Sequence, residues 1–140
     1  MNNLIANHFQ NLKDAIVLGI TSKIEEHTNN HSEGNTACTA RNGTFTFGHR
    51  LVVDVDIFSA PNTDLNIRLN DVPIGLSFGD NHFILAGVVA RVNRNHFVSI
   101  TRRANGQWEL IDDLAKHPRS CTASSKVSPV ILFYVRLTSN

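Results

Sequence analysis

A histidine and two carboxylates carry the strongest chemical suggestion in this sequence. His96 opens the stretch Asn95-His96-Phe97-Val98-Ser99-Ile100-Thr101-Arg102-Arg103, and Asp112 and Asp113 close the stretch that starts Gln107-Trp108-Glu109-Leu110-Ile111. Both stretches have the β-branched and aromatic content of strands, and Ala104-Asn105-Gly106 between them suits a tight turn, because Asn and Gly tolerate positive φ. An antiparallel hairpin then brings the start of the first strand beside the end of the second. A carboxylate against an imidazole fixes the ring's tautomer and orientation and stabilises its charged form, which frees the other nitrogen to work on a nucleophile. The plainer alternative is a sheet-edge histidine with two solvated strand-end acids.

Loop length decides which acid meets the ring. A three-residue loop, 104–106, sets Arg103 opposite Gln107 and puts His96 and Asp112 on one face as diagonal neighbours. Such neighbours stand roughly 7–8 Å apart at the backbone, within side-chain reach. A two-residue loop, Asn105-Gly106, shifts the pairing by one and puts Asp113 on that face instead. Pattern alone leaves both open.

The elements that must position this pair follow from periodicity. Ile5, Phe9, Leu12, Ile16, Ile20 and Ile24 recur at three- and four-residue steps and predict a helix over about 3–26, with Gly19 a point where it can break. The polar run from His27 to Thr36 reads as a loop. After Gly43 the period becomes two. Strands are expected at 44–47, 51–58, 65–69, 82–92, 95–103, 107–112 and 130–137, with Asn93-Arg94 as a two-residue turn and Lys116 to Ser128 as a polar loop. The fold class is α+β: an N-terminal helix (1–30 with its loop) followed by an antiparallel, hairpin-rich sheet (43–137), in a single partial domain, 1–140.

Four of these stretches, in order, resemble the C-terminal part of the ubiquitin-specific protease family of cysteine peptidases. Phe83-Ile84-Leu85-Ala86-Gly87-Val88-Val89 is similar to the family's tyrosine-x-leucine strand, and Asn95-His96-Phe97-Val98 to the motif that carries its catalytic histidine. Trp108-Glu109-Leu110-Ile111-Asp112-Asp113 is similar to its aspartate strand, and Val130-Ile131-Leu132-Phe133-Tyr134-Val135-Arg136 to its last strand. Leu51-Val52-Val53-Asp54-Val55 looks like an inner strand of the family's palm, and 67–76 like the segment that carries its proline. The resemblance covers about 45–137. It implies the palm half of a papain-like domain, with His96 as general base and Asp112 as its orienter, Asp113 in reserve. The family's preference for the first aspartate favours the three-residue loop. The implied partner is ubiquitin or a ubiquitinated protein, and no cofactor or metal is implied; a cytoplasmic or nuclear compartment is expected separately, from the absence of a spanning stretch or signal peptide.

The chain departs from the family in four places. Asn95 stands where the family has glycine, the connection Ala90 to Arg94 is short, and the zinc-binding fingers are reduced to Cys38. The glycine-asparagine-threonine-cysteine box that opens a helix with the nucleophile is absent. Gly34-Asn35-Thr36-Ala37-Cys38 echoes that box with one residue too many, and Thr39-Ala40-Arg41-Asn42-Gly43 after it reads as turn and strand rather than the helix that lowers a thiol's pKa. Cys38 is therefore read as a finger-region remnant and Cys121 as a loop thiol. Hydrolysis of ubiquitin isopeptide bonds then requires a cysteine from a missing segment or another chain. The alternative function is a catalytically inactive remnant that binds ubiquitin or another protein, and a third is a small β-rich interaction domain that only looks like the family.

Composition limits the rest. A net charge of +1 gives no field for nucleic acid or an anionic membrane, and two cysteines are too few for a disulfide scaffold. The early apolar run 15–20 is far short of the roughly 20 residues a membrane span needs. His27 and His31 have the helical i, i+4 spacing of a zinc pair, but in a polar run they read as solvated. Arg91, Arg94, Arg102 and Arg103 read as solvated strand-end charges, and Trp108 as core. Loss of the family's helical half would leave an apolar face open to self-association or to a complementing chain.

Overall fold

The computed structural model describes residues 12–30, 46–55 and 66–138, with side chains from 12 to 22 in the first of these. Helix α1 spans Leu12–Asn30. Leu12 and Ile16 are buried and Ile20 packs at the edge of the core, as the three- and four-residue stripe predicts, and Ala15 and Val17 beside them widen it. Ile5, Phe9 and the rest of 3–11 lie outside the described residues, as does the Ile24 side chain. Gly19 does not break the helix, and the helix runs four residues past 26. His27-Thr28-Asn29-Asn30 is polar, but polarity is not a stop signal. Each added residue gains a backbone hydrogen bond, at a propensity cost under about 0.7 kcal/mol.

Nine strands follow among the described residues: β1 Arg50–Asp54, β2 Ile67–Arg68, β3 Gly75–Phe78, β4 Asn81–Asn93, β5 His96–Arg102, β6 Trp108–Ile111, β7 Arg119–Cys121, β8 Lys126–Val127 and β9 Pro129–Arg136. Their pairings are all antiparallel, in the order β1-β9-β4-β5-β6-β7, with β3 beside β4 and a separate β2–β8 pair. Phe83 pairs with both Leu76 and Arg136, so β3 and β9 flank opposite edges of β4. The sheet is therefore built around β4, which carries β9 on one side and β3 then β5 on the other.

One face of this sheet carries the core: Phe83, Leu85, Val88 and Ala90 of β4, Val98 and Ile100 of β5, Trp108 of β6, and Leu132 and Tyr134 of β9. The alternation in β4 resets at Ala86. Leu85 pairs with Tyr134 but Gly87 pairs with Phe133, so a bulge moves the buried positions from 83 and 85 to 88 and 90. Gly87 sits where β5 approaches closely, since a Cβ there would meet the Ile100 carbonyl oxygen at 3.4 Å. Phe47, Phe78 and Phe83 cluster at the start of β4, with Phe47 stacked on Phe78 at 5.0 Å between ring centres. Buried Tyr134 donates its hydroxyl to the Pro73 carbonyl at 2.6 Å, and burial pushes its phenol pKa upward.

Several expected boundaries change. The strand expected at 51–58 is Arg50–Asp54, with Val55 continuing as a single bond to the Val130 carbonyl and 56–58 outside the described residues. Within the strand expected at 44–47, residues 46–47 are not strand and 44–45 are not described. Of the strand expected at 65–69, residue 65 is not described, residue 66 is not strand and Ile67–Arg68 is. It ends there because Leu69–Asp71 winds into a 3₁₀ turn whose Val72 N–H bonds the Leu69 carbonyl. The turn between β4 and β5 is Arg94-Asn95 rather than Asn93-Arg94: Asn93 pairs with His96, after an irregularity between Arg91 and Asn93. The Asn93 side chain drives this shift by accepting the Asn95 N–H at 3.0 Å. Finally, β3 stands where no strand is expected, and β7 and β8 lie inside the stretch read as a polar loop. Trp108 is buried, as expected.

Candidate active site

The β5–β6 hairpin settles the register. Ser99 pairs with Ile111, Ile100 with Leu110 and Arg102 with Trp108, and the Arg103 N–H bonds the Gln107 carbonyl. The loop is Ala104-Asn105-Gly106. Asn105 closes it by accepting the Gln107 N–H at 3.0 Å, and Gly106 takes a φ of 84° that suits glycine. Alternation then carries the core face outward from Val98 to His96 and from Leu110 to Asp112. The two side chains meet where the strands end.

His96 Nε2 donates to Asp112 Oδ1 at 2.9 Å, and both side chains are mostly shielded, at 17% and 16% exposure. A carboxylate only accepts, so this contact assigns the proton to Nε2 and leaves Nδ1 with its lone pair in the neutral ring. Asp112 Oδ1 also accepts the Leu114 N–H at 3.0 Å, and the Ala115 N–H bonds the Asp112 carbonyl. The acid is thus held by the turn it starts. Its carboxyl is held below the usual value, first by the Leu114 N–H and then by His96 and Arg119, against an opposing push from desolvation.

Asp113 lies on the other side of the ring. Its Oδ1 is 3.8 Å from His96 Nδ1, and its side chain is 83% exposed. Sequence reading misses Arg119 as part of this site. Its Nη2 stands 3.8 Å from Asp112 Oδ2, because β7 pairs Arg119 with Leu110, two residues before Asp112. A groove of about 310 Å³ runs over Val98, Ile100 and Leu110, the residues that share the pair's face of the hairpin, with Asn66, Lys126 and Ser128 among its lining.

Two of the arginines read as solvated strand-end charges make contacts, while the Nε atoms of Arg91 and Arg102 are buried, the latter without a hydrogen-bond partner. Arg103 pairs with Glu109 across the hairpin, and the Arg91 guanidinium lies 5.5 Å from the centre of the Phe97 ring. Cys121 is not a loop thiol. It lies on β7 opposite Trp108, packed partly against the core, with its Sγ 3.9 Å from the Thr122 carbonyl. Four residues of strand separate the level of Trp108 from Asp112, about 13 Å at 3.3 Å per residue, so Cys121 is beyond hydrogen-bond reach of the ring. Cys38 and the His27 and His31 side chains lie outside the described residues and side chains. No helix among the described residues is long and apolar enough to cross a membrane.

No family model matches the chain, and no curated protein matches it.

Proposed function

We propose that this chain is the palm half of a cysteine peptidase like the ubiquitin-specific proteases, with His96 as general base and Asp112 as its orienter. The observation that carries this reading is the Nε2–Asp112 contact at 2.9 Å, which points Nδ1 away from the acid. An arriving thiol would lose its proton to Nδ1 and attack the isopeptide carbonyl at ubiquitin's C-terminal glycine, with Nδ1–H later protonating the leaving amine. The groove over Val98 and Leu110 would hold the extended tail. Asp113, 3.8 Å from Nδ1, would stabilise the imidazolium as it forms. The thiol must come from a segment or chain other than the described residues, because Cys121 lies on β7 opposite Trp108, at the end of β6 away from the pair.

The same position of Cys121 favours a second reading, a fold that keeps the site and binds ubiquitin or another protein without cutting it. Complementation separates the two. The chain is mixed, in buffer with chelator, with a cysteine-bearing half of a ubiquitin-specific protease and a ubiquitin C-terminal fluorogenic amide. The peptidase reading expects release that disappears with His96→Ala. Binding of ubiquitin by NMR without release supports the second reading, and neither binding nor release rejects both. Alone, the chain is expected to form no adduct with ubiquitin carrying a thiol-reactive C-terminus.

A further inference from the structure

One ligand atom from each of His96, Asp112 and Asp113 lies within 4.8 Å of the other two. The three residues do not play equal parts. Asp112 Oδ1 is engaged by both Nε2–H and the Leu114 N–H, which turns it toward the ring and its own turn. On the opposite side, the Nδ1 lone pair and the Asp113 carboxylate face each other at 3.8 Å. Both are acceptors, so the approach is repulsive with a neutral ring and becomes attractive when a proton on Nδ1 or a metal cation stands between them.

We propose that His96 Nδ1 and Asp113 Oδ1 take up a divalent transition cation of the zinc class, with Asp112 holding the ring from Nε2. Two ligands about 2.1 Å from a tetrahedral ion stand about 3.4 Å apart. The gap of 3.8 Å closes to that by a small rotation of the exposed Asp113 side chain, and water completes the shell. Imidazole with carboxylate suits zinc, and a carboxylate on the far nitrogen orients the ring and raises its basicity as a ligand. The binding does not depend on the peptidase reading. Its consequence does: the ion occupies the nitrogen that must take the thiol's proton, so zinc would switch the site off.

The test is zinc sulfate added to the ¹⁵N-labelled chain near neutral pH in metal-free buffer, followed through the ring nitrogens of His96, with magnesium as the comparison ion. The expected result is a saturable shift of Nδ1 with zinc and none with magnesium. Asp112→Asn should weaken zinc binding by roughly 10- to 100-fold, the usual cost of losing an outer partner, and Asp113→Asn by at least as much. A shift at Nε2 instead, response only at other histidines, or an Asp113→Asn chain that titrates like wild type would overturn the proposal. The wild-type readout stands without the variants. Because neither the complementing cysteine-bearing half nor ubiquitin is present, failure here leaves the complementation result intact, and the reverse also holds.

Discussion

Asp112 serves two partners with one oxygen, and this gives it a testable acid limb. Its carboxyl sits below the unfolded value of 3.8, so its contribution to stability is complete above that value. The contribution is lost as pH falls through the lower folded value, where the protonated acid can no longer hold both the Leu114 N–H and the ring. Asp112→Asn should remove this limb from acid unfolding followed by circular dichroism and speed the exchange of the His96 Nε2–H with water, read by NMR. Asp113→Asn, at an 83% exposed position, should leave Nε2–H as it is. An Nε2–H that responds only to the Asp113 variant would reverse the assignment. The pair itself is legible in the sequence because both partners belong to one hairpin with a strong turn signal. Arg119 is not, because it reaches Asp112 from a strand whose sequence, Arg119-Ser120-Cys121, has no alternation to read.

The strands that sequence reading misses are all short, with too few residues to show a period of their own. β2 and β6 are as short, but the first lies in a longer alternating stretch and the second in a hairpin with a strong turn signal. β3, β7 and β8 are four, three and two residues long, and each is held by partners contributed from elsewhere in the chain. The β3–β4 hairpin does leave a signal. Gly79-Asp80 is a two-residue hairpin turn, and Gly79 takes a φ of 58°. Long strands are easier to read: β4, β5 and β9 each have enough alternating or apolar residues to fix their place within one or two positions. Turn geometry is equally decisive at the site. Gly106→Ala forces a side chain into left-handed backbone beside the Arg102 guanidinium, and should lower stability by about 1–2 kcal/mol in urea unfolding. The register should survive, since Asn105 and the flanking pairs still hold it, so the Nε2–Asp112 contact should persist. On β9, Tyr134→Phe strands the buried Pro73 carbonyl and should cost about 1–3 kcal/mol, read from the same unfolding curve, without moving the site.

At the scale of the whole molecule, the sheet has two unequal faces. α1 and the 66–76 segment contribute to the core on one, through Leu12, Ala15, Ile16, Leu69 and Val72. The other carries Val52, Phe133 and Val135, exposed at 57%, 41% and 41%, with Phe97 and Ile111 further along. Val52 pairs with Phe133 across β1 and β9, with Val135 two residues on along the same face, so these three form one patch rather than scattered singles. Patches of this kind on a sheet face mark surfaces that associate. The chain should therefore bind a hydrophobic dye while fully folded, and its sedimentation coefficient should rise with concentration. Placing lysine at both positions, Val52→Lys with Phe133→Lys, should abolish both effects. Stability should hold, because neither side chain lies in the buried cluster. A chain that stays monomeric and leaves the dye dark at high concentration would show that this face is covered, and association that survives both lysines would move the contact to another surface.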